Sequence, residues 1–425
     1  MRSFPMSTPE SRADDKSDDK SVDAVEGPPL AGVKVIDLTI AMAGPLASQR
    51  LGDMGADIVK VEAPSEGDLT RVFALAGARI GGETTSFLAL NRNKRSICLD
   101  LKSEAGRNIL LRLVQKSDVL MQNFRPGVAD RLGCGYDAVR SINPRIVYCS
   151  ISGFGDDGPM ARHPGQDLLV QAFSGMMFNA GTRSSAPHPA PVYLIDTAAS
   201  HLATEAILAA LLQMYRSGEG QHVKVSLLGA ALEMQCQELM TYLHRRKLAP
   251  RTSAPFASAW LEPPYGVYPT SNGWMALSQN DLGVIASVVG SDALKRLAGA
   301  RPSADGADLE AWRDEVYETL QSALQAHSTQ HWVDALSAHK VWCGPVQSYE
   351  ELIAHPQSEQ FFKEMKLFDG KEALRTVAPA IWFSQYEATA MRPPPPLGFH
   401  TNEILQEIGL SAEQIRRCRH DGVVR

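Results

Sequence analysis

Gly153-Phe154-Gly155-Asp156-Asp157-Gly158 fits the GxGxxG spacing that lets a backbone approach a pyrophosphate. That chemistry needs the last glycines to open a helix whose N-terminus meets the phosphates. Here Pro159 and Pro164 follow within a few residues, and the first strand-helix unit has no such glycines. A nicotinamide or flavin site is therefore not expected. The sequence contains no GxxxxGK[ST] phosphate loop, GxSxG elbow, HExxH or CxxC pair. Cys418 and His420 lie on a basic terminal helix and cannot alone complete a structural zinc site, so no metal is expected. Asp167, in PGQDLLVQ, stands at a helix start, where an aspartate by itself reads as an N-cap.

The elements that must position these residues alternate between two periods from residue 30 onward. VKVIDL (33–38), DIVKVE (57–62), RSICLDL (95–101), residues 118–122 and residues 145–150 read as strands. Residues 47–54 read as a helix, and Ser103 caps another whose Ile109, Leu110, Leu113 and Val114 fall at helical spacing. A long apolar helix is expected over 197–216, stopped by Ser217-Gly218-Glu219-Gly220, with a strand starting at His222 and helix over 228–247. Such alternation implies right-handed βαβ units and a mostly parallel, doubly wound sheet. The expected plan is a disordered, Asp/Lys/Ser-rich tail over 1–28 and a large Rossmann-like α/β domain over 29–228. A proline-marked linker over 229–260 leads to a smaller α+β domain over 261–350, and 351–425 holds a further linker and a terminal helix over 411–419.

The chain has 425 residues, enough for two or three domains. Its 42 basic and 48 acidic residues leave a net charge of −6, which gives no basic footprint for nucleic acid. Six scattered cysteines point to reduced thiols in the cytoplasm. No apolar run reaches the length of about 18–20 residues that a bilayer span needs, so neither membrane nor nucleic acid is expected as a partner.

Four segments stand out together: IDLTIAMAGPLASQRLGDMGADIVKVEAPSEGD (36–68), LNRNKRSICLDLK (90–102), NFRPGVADRLG (123–133) and GFGDDGPMARHPGQDLLVQAFSG (153–175). In this order, with YRSGEGQHVKVSL, GPVQSYEELIAHPQ and LGFHTNEIL after them, the chain resembles the family III CoA transferases from about residue 30 to its end. That group includes formyl-CoA transferase and the α-methylacyl-CoA racemases. The resemblance implies transfer of CoA from an acyl-CoA to a free carboxylic acid, with acyl-CoA as substrate and no tightly bound cofactor.

It also implies a nucleophilic aspartate at Asp167, which would form a mixed anhydride and then an aspartyl-CoA thioester. Asn123 and Arg131 match positions that contact the nucleotide, Phe124 is expected among the CoA-binding residues, and Arg125 is expected to add a phosphate contact. Lys94 and Arg95 are expected on the adenosine-side phosphates, and Met42 and Ala43, at the start of the first helix, join the CoA-contacting set. Finally, the resemblance implies a C-terminal segment that returns to the large domain and two chains interlocked as a homodimer.

Two departures bear on the substrate. Formyl-CoA transferase has glutamine where Met42 stands and arginine where Ala63 stands, which argues against a small polar acid and for a larger or more apolar acyl group. The racemases place a histidine immediately before the aspartate, and here that residue is Gln166, which cannot act as a general base. Asp196, in YLIDTAA, aligns with the racemases' second catalytic acid. A racemase and a non-catalytic acyl-CoA binding protein are the alternative readings.

Overall fold

The structure, a computed structural model, describes residues 27–253, 258–303, 306–368, 370–386 and 391–425. Apart from Gly27 and Pro28, the tail expected over 1–28 lies outside them. Six strands form a wholly parallel sheet: β1 (Lys34–Asp37), β2 (Asp57–Glu62), β3 (Lys94–Cys98), β4 (Val119–Gln122), β5 (Val147–Ser152) and β6 (His222–Ser226). Their order across the sheet is β3-β2-β1-β4-β5-β6. The order in which strands are added thus reverses between β1 and β4, and doubly wound sheets bind ligands beyond the strands' carboxyl ends at such a switch point.

Helices cover both faces, as a parallel sheet requires. On one face, α1 (Ala43–Asp53) and α4 (Leu194–Ser217) share a core built from Ala47, Leu51, Ile195, Ala199, Ala203 and Ile207. On the other, α2 (Glu104–Val114) packs with Leu120, Tyr148 and the C-terminal residues Ile404, Leu405 and Ile415. Ser103 does cap α2, accepting from Gly106 N–H at 3.0 Å. A fourth helix, α3 (Asp167–Phe173), precedes α4 in the chain. The helical stretch after β6 is broken into α5 (Leu227–Glu233) and α6 (Cys236–Arg245). By length and hydropathy α4 could cross a membrane, but it buries Ile195, Ala199, Ala203, Ile207, Ala210 and Met214 in this core.

A second, three-stranded antiparallel sheet, β7 (Gly266–Pro269), β8 (Trp274–Leu277) and β9 (Cys343–Pro345), has its own core of Tyr268, Met275, Ile285, Trp312, Tyr317 and Trp332. The chain then comes back to the edge strand of the large sheet. His400 N–H donates to Ser96 O at 3.0 Å, Asp100 N–H to Val423 O at 2.9 Å, and Arg71 Nη2 to Pro395 O at 3.0 Å.

Candidate active site

The loop from β1 to α1 is tied down residue by residue. Asp37, at the end of β1, accepts from Thr39 N–H at 2.9 Å, and Lys60 Nζ donates to Thr39 O at 2.8 Å. Asn123, one residue past β4, accepts from Ile40 N–H at 2.9 Å and donates to Ile40 O at 2.7 Å. Asp68 accepts from Ala41 N–H at 3.2 Å while pairing with Lys60 at 2.7 Å. Ala41 takes a left-handed φ of 66°, and Gly44 leaves room for Thr39, whose Cβ would lie 2.3 Å from an added methyl. Met42 then sits at the N-cap of α1 with Ala43 as its first residue. Asn123 therefore joins the two loops at the switch point, and the expected CoA-contacting residues Met42, Ala43, Asn123 and Phe124 converge there. Arg125 and Arg131 are exposed beside them, on the segment after β4, with no side-chain partner among the described residues.

Lys94 and Arg95, expected on the phosphates, both have their donors taken by protein groups. Lys94 is fully buried, and its three N–H bonds go to Asp37 at 3.1 Å, Pro45 O at 2.8 Å and Asn91 at 2.8 Å. Burial, with Lys60 nearby, pushes its pKa down to about 8. Asp37, although buried, is held well below the ordinary carboxylate range by Lys94 and Lys60. Arg95 is bound by Asp57 at 2.6 Å, Glu403 at 2.9 Å and Glu407 at 2.7 Å. It clamps the C-terminal helix α11 (Thr401–Glu407; α7–α10 being the helices of the second core, Leu282–Val289, Asp292–Gly299, Ala307–Leu324 and Thr329–Ala338) to the edge of the sheet. A lysine and arginine just before a strand read as surface cations only while their strand's two-sided burial is unknown.

The GxGxxG segment does structural work. Gly153, after β5, lies against Gly165, and a Cβ on Gly165 would sit 2.3 Å from the Gly153 Cα. This backbone contact brings Asp167 back to the sheet's carboxyl edge. There its Oδ2 accepts from Ile195 N–H at 2.8 Å and Asp196 N–H at 2.9 Å, the second and third amides of α4. Gln171 donates to its Oδ1 and, through Oε1, accepts from Ala190 N–H at 2.8 Å. Asp167 is thus a buried cap, but for a helix 28 residues further on rather than its own. Both of its oxygens are engaged, so the carboxylate expected as a nucleophile is held by three donors.

Asp196 has the opposite surroundings. It lies in the first turn of α4, half-buried, and no donor among the described residues meets its carboxyl. Burial, reinforced by the neighbouring Asp167 charge, pushes its pKa up to about 7. Its signal in the sequence is the alignment with a racemase acid. Both α1 and α4 lead from the carboxyl edge back toward the amino edge, where Gly220 N–H meets Pro144 O at 2.9 Å. They pack side by side, with Arg50 donating to Ser200 and to His201 Nε2, the latter at 2.9 Å. The first turn of α4 and the tied-down loop therefore face the same end of the sheet. Gln166 is exposed at the N-cap of α3, and His163 is also exposed. Two cavities, of about 660 and 560 Å³, are lined by other residues, the first by Pro356, Phe362 and Trp382 and the second by Thr241, Trp260 and Arg313.

The model of CoA-transferase family III matches residues 30–401. The chain belongs to CoA-transferase family III. It is 34% identical over 389 residues to the succinate–glutarate CoA-transferase of Agrobacterium fabrum, covering 90% of this chain and 96% of that protein. It is 32% identical over 381 residues to human succinyl-CoA:glutarate CoA-transferase, covering 89% and 86%. A crystal structure of a CAIB/BAIF family protein from Brucella suis superposes with a TM-score of 0.76 at 29% identity, covering 90% of this chain and 99% of that one. A family III transferase works on CoA thioesters, and the chain is accordingly an acyl-CoA:carboxylate CoA-transferase.

Proposed function

We propose that this transferase carries CoA through a thioester on Asp196, with Asp167 as the residue that positions it. The observation that carries the reading is the contrast between the two carboxyls: one has its oxygens engaged by three donors, the other is desolvated and unpartnered. An Asp196 carboxylate oxygen attacks the donor thioester carbonyl, the C–S bond breaks, and CoA thiolate leaves a mixed anhydride. The thiolate attacks the aspartyl carbonyl and releases the donor acid, which leaves an aspartyl-CoA thioester. The acceptor carboxylate attacks that thioester, and the freed thiolate then takes its acyl group and restores Asp196. A carboxylate is a weak nucleophile in water, and the burial that raises its pKa also makes the ionised form more reactive.

The nucleotide end of CoA is assigned to the switch-point loops, with Arg125 and Arg131 reading phosphate. Met42 at the loop's end supports an acyl group larger than formyl. Leu168, Leu169 and Phe173 of α3 and Val192 and Tyr193 before α4 are exposed. Apolar surface of that kind marks an interface, and a second copy of the chain is the occupant assigned here, making the enzyme a homodimer. Six free cysteines support a reducing, cytoplasmic setting. The test is intact mass after incubation with a panel of acyl-CoAs. A covalent CoA adduct mapped to Asp196 supports the reading, whereas an adduct on Asp167, or α-proton exchange without acid exchange, overturns it.

A further inference from the structure

Beneath the nucleotide loop runs a chain of buried polar side chains that the transfer chemistry leaves unused. The Phe124 N–H donates to Gln122 Oε1 at 2.8 Å, Gln122 Nε2 donates to Ser150 Oγ at 2.8 Å, and Ser150 Oγ lies 2.8 Å from His222 Nε2. The chain crosses three neighbouring strands, from the end of β4 through β5 to the first residue of β6. His222 is locked by two rings, Tyr136 at 4.7 Å and Tyr148 at 5.0 Å between centroids. The Tyr148 hydroxyl in turn donates to Cys134 O at 2.9 Å, below the helical turn that ends at Arg131.

The direction is set at Gln122, and the Nδ1–H tautomer of His222 continues it. Gln122 must accept with Oε1 and donate with Nε2, so Ser150 Oγ receives one hydrogen and has its own to give. A neutral imidazole accepts that hydrogen on Nε2, and every bond then points the same way, an arrangement in which each bond polarises the next. Burial and the Lys224 charge hold His222 below its ordinary pKa, against Asp156, Asp137 and Asp130. Gln122 and Ser150 are both buried. The next residue along the chain, Asn123, is the one that grips the β1–α1 loop.

We propose that Gln122, Ser150 and His222 are positioning residues for the CoA nucleotide, fixing the Phe124 amide and with it the Asn123–Arg125 turn. This rests on the assignment of that turn to the nucleotide end of CoA. The relay touches no reacting atom and lies on the nucleotide side only, so its loss is felt by one half of the ligand.

The test measures dissociation constants of CoA and of pantetheine, by calorimetry, for the full chain and four variants. Ser150→Ala removes the middle link, and His222→Phe keeps the ring stack while removing Nε2. Each is expected to weaken CoA binding about 3- to 10-fold, the worth of one net hydrogen bond, and to leave pantetheine binding unchanged. Ser150→Thr, which keeps the hydroxyl, is expected to restore CoA affinity. Asn123→Ala serves as the reference for the turn itself. If Asn123→Ala weakens CoA binding and the two relay variants do not, the relay is refuted and the nucleotide assignment stands. If Asn123→Ala also leaves CoA binding unchanged, the assignment falls, and the relay with it. Equal weakening of CoA and pantetheine makes the relay a general stability element and overturns the proposal.

Discussion

Asp167 accepts the backbone N–H of Asp196 at 2.9 Å, so one carboxylate caps the helix turn that presents the other. The two acids are held together with different surroundings, and the roles proposed for them separate for that reason.

Asp196→Ala is expected to abolish CoA transfer, by at least about 10³-fold in kcat, because no carbonyl remains to carry the thiol. Asp167→Asn keeps an acceptor for the helix amides and is expected to cost far less, roughly 10-fold. Initial-rate kinetics on the two variants decide it, and a larger loss at Asp167 would reverse the assignment.

The rate should rise with pH through a limb near 7, where Asp196 ionises. Burial is the larger cause of that value and the Asp167 charge the second. Asp167→Asn is therefore expected to move the limb to lower pH without removing it. A limb at the same pH in both proteins argues that the titrating group is elsewhere.

Stability carries the same signature with a defined sign. The Asp196 pKa is raised from 3.8 to about 7, so the folded state holds a proton that the unfolded state releases. Unfolding free energy is then lost as pH rises from about 4 to 7. Asp196→Asn is expected to gain roughly 1–3 kcal/mol at pH 8 and almost nothing at pH 4. Urea titrations at the two pH values provide the comparison.

Lys94→Met should destabilise the fold by about 3–5 kcal/mol, since it strands the buried Asp37 charge. Its damage should appear as a lower melting temperature. A stable variant with selectively weakened CoA binding would return Lys94 to the phosphate site.

Gly165→Ala puts a methyl 2.3 Å from the Gly153 backbone, where neither strand end nor loop can yield cheaply. A loss of about 1–3 kcal/mol is expected, together with a fall in transfer rate as Asp167 leaves its amides. Gly299→Ala, which meets nothing within 4 Å, is the control and should stay within about 0.5 kcal/mol.

Much of the scaffold was legible in the residues. Asp57–Glu62 was read with its observed bounds, and Ser103 caps the helix it was expected to cap. Local signals sufficed there, because burial on both faces and a side-chain cap are written into adjacent residues. The start of α4 was placed at 197 and lies at 194, because its cap is supplied by Asp167 and leaves no mark on the preceding Tyr193. The same remoteness hides the surroundings of Asp167, whose amide donors are 28 and 29 positions away. The surroundings of Lys94 and Arg95 are illegible for an equivalent reason, their partners Asp37, Glu403 and Glu407 being up to 312 positions distant.

Residues 39–41 have their amides bound by Asp37, Asn123 and Asp68 before any ligand arrives. Folding has already removed the freedom of that segment, so docking a nucleotide on it costs little further entropy. The segment should therefore exchange its amide hydrogens slowly with or without CoA, and protection gained on binding should appear around Asp196 instead.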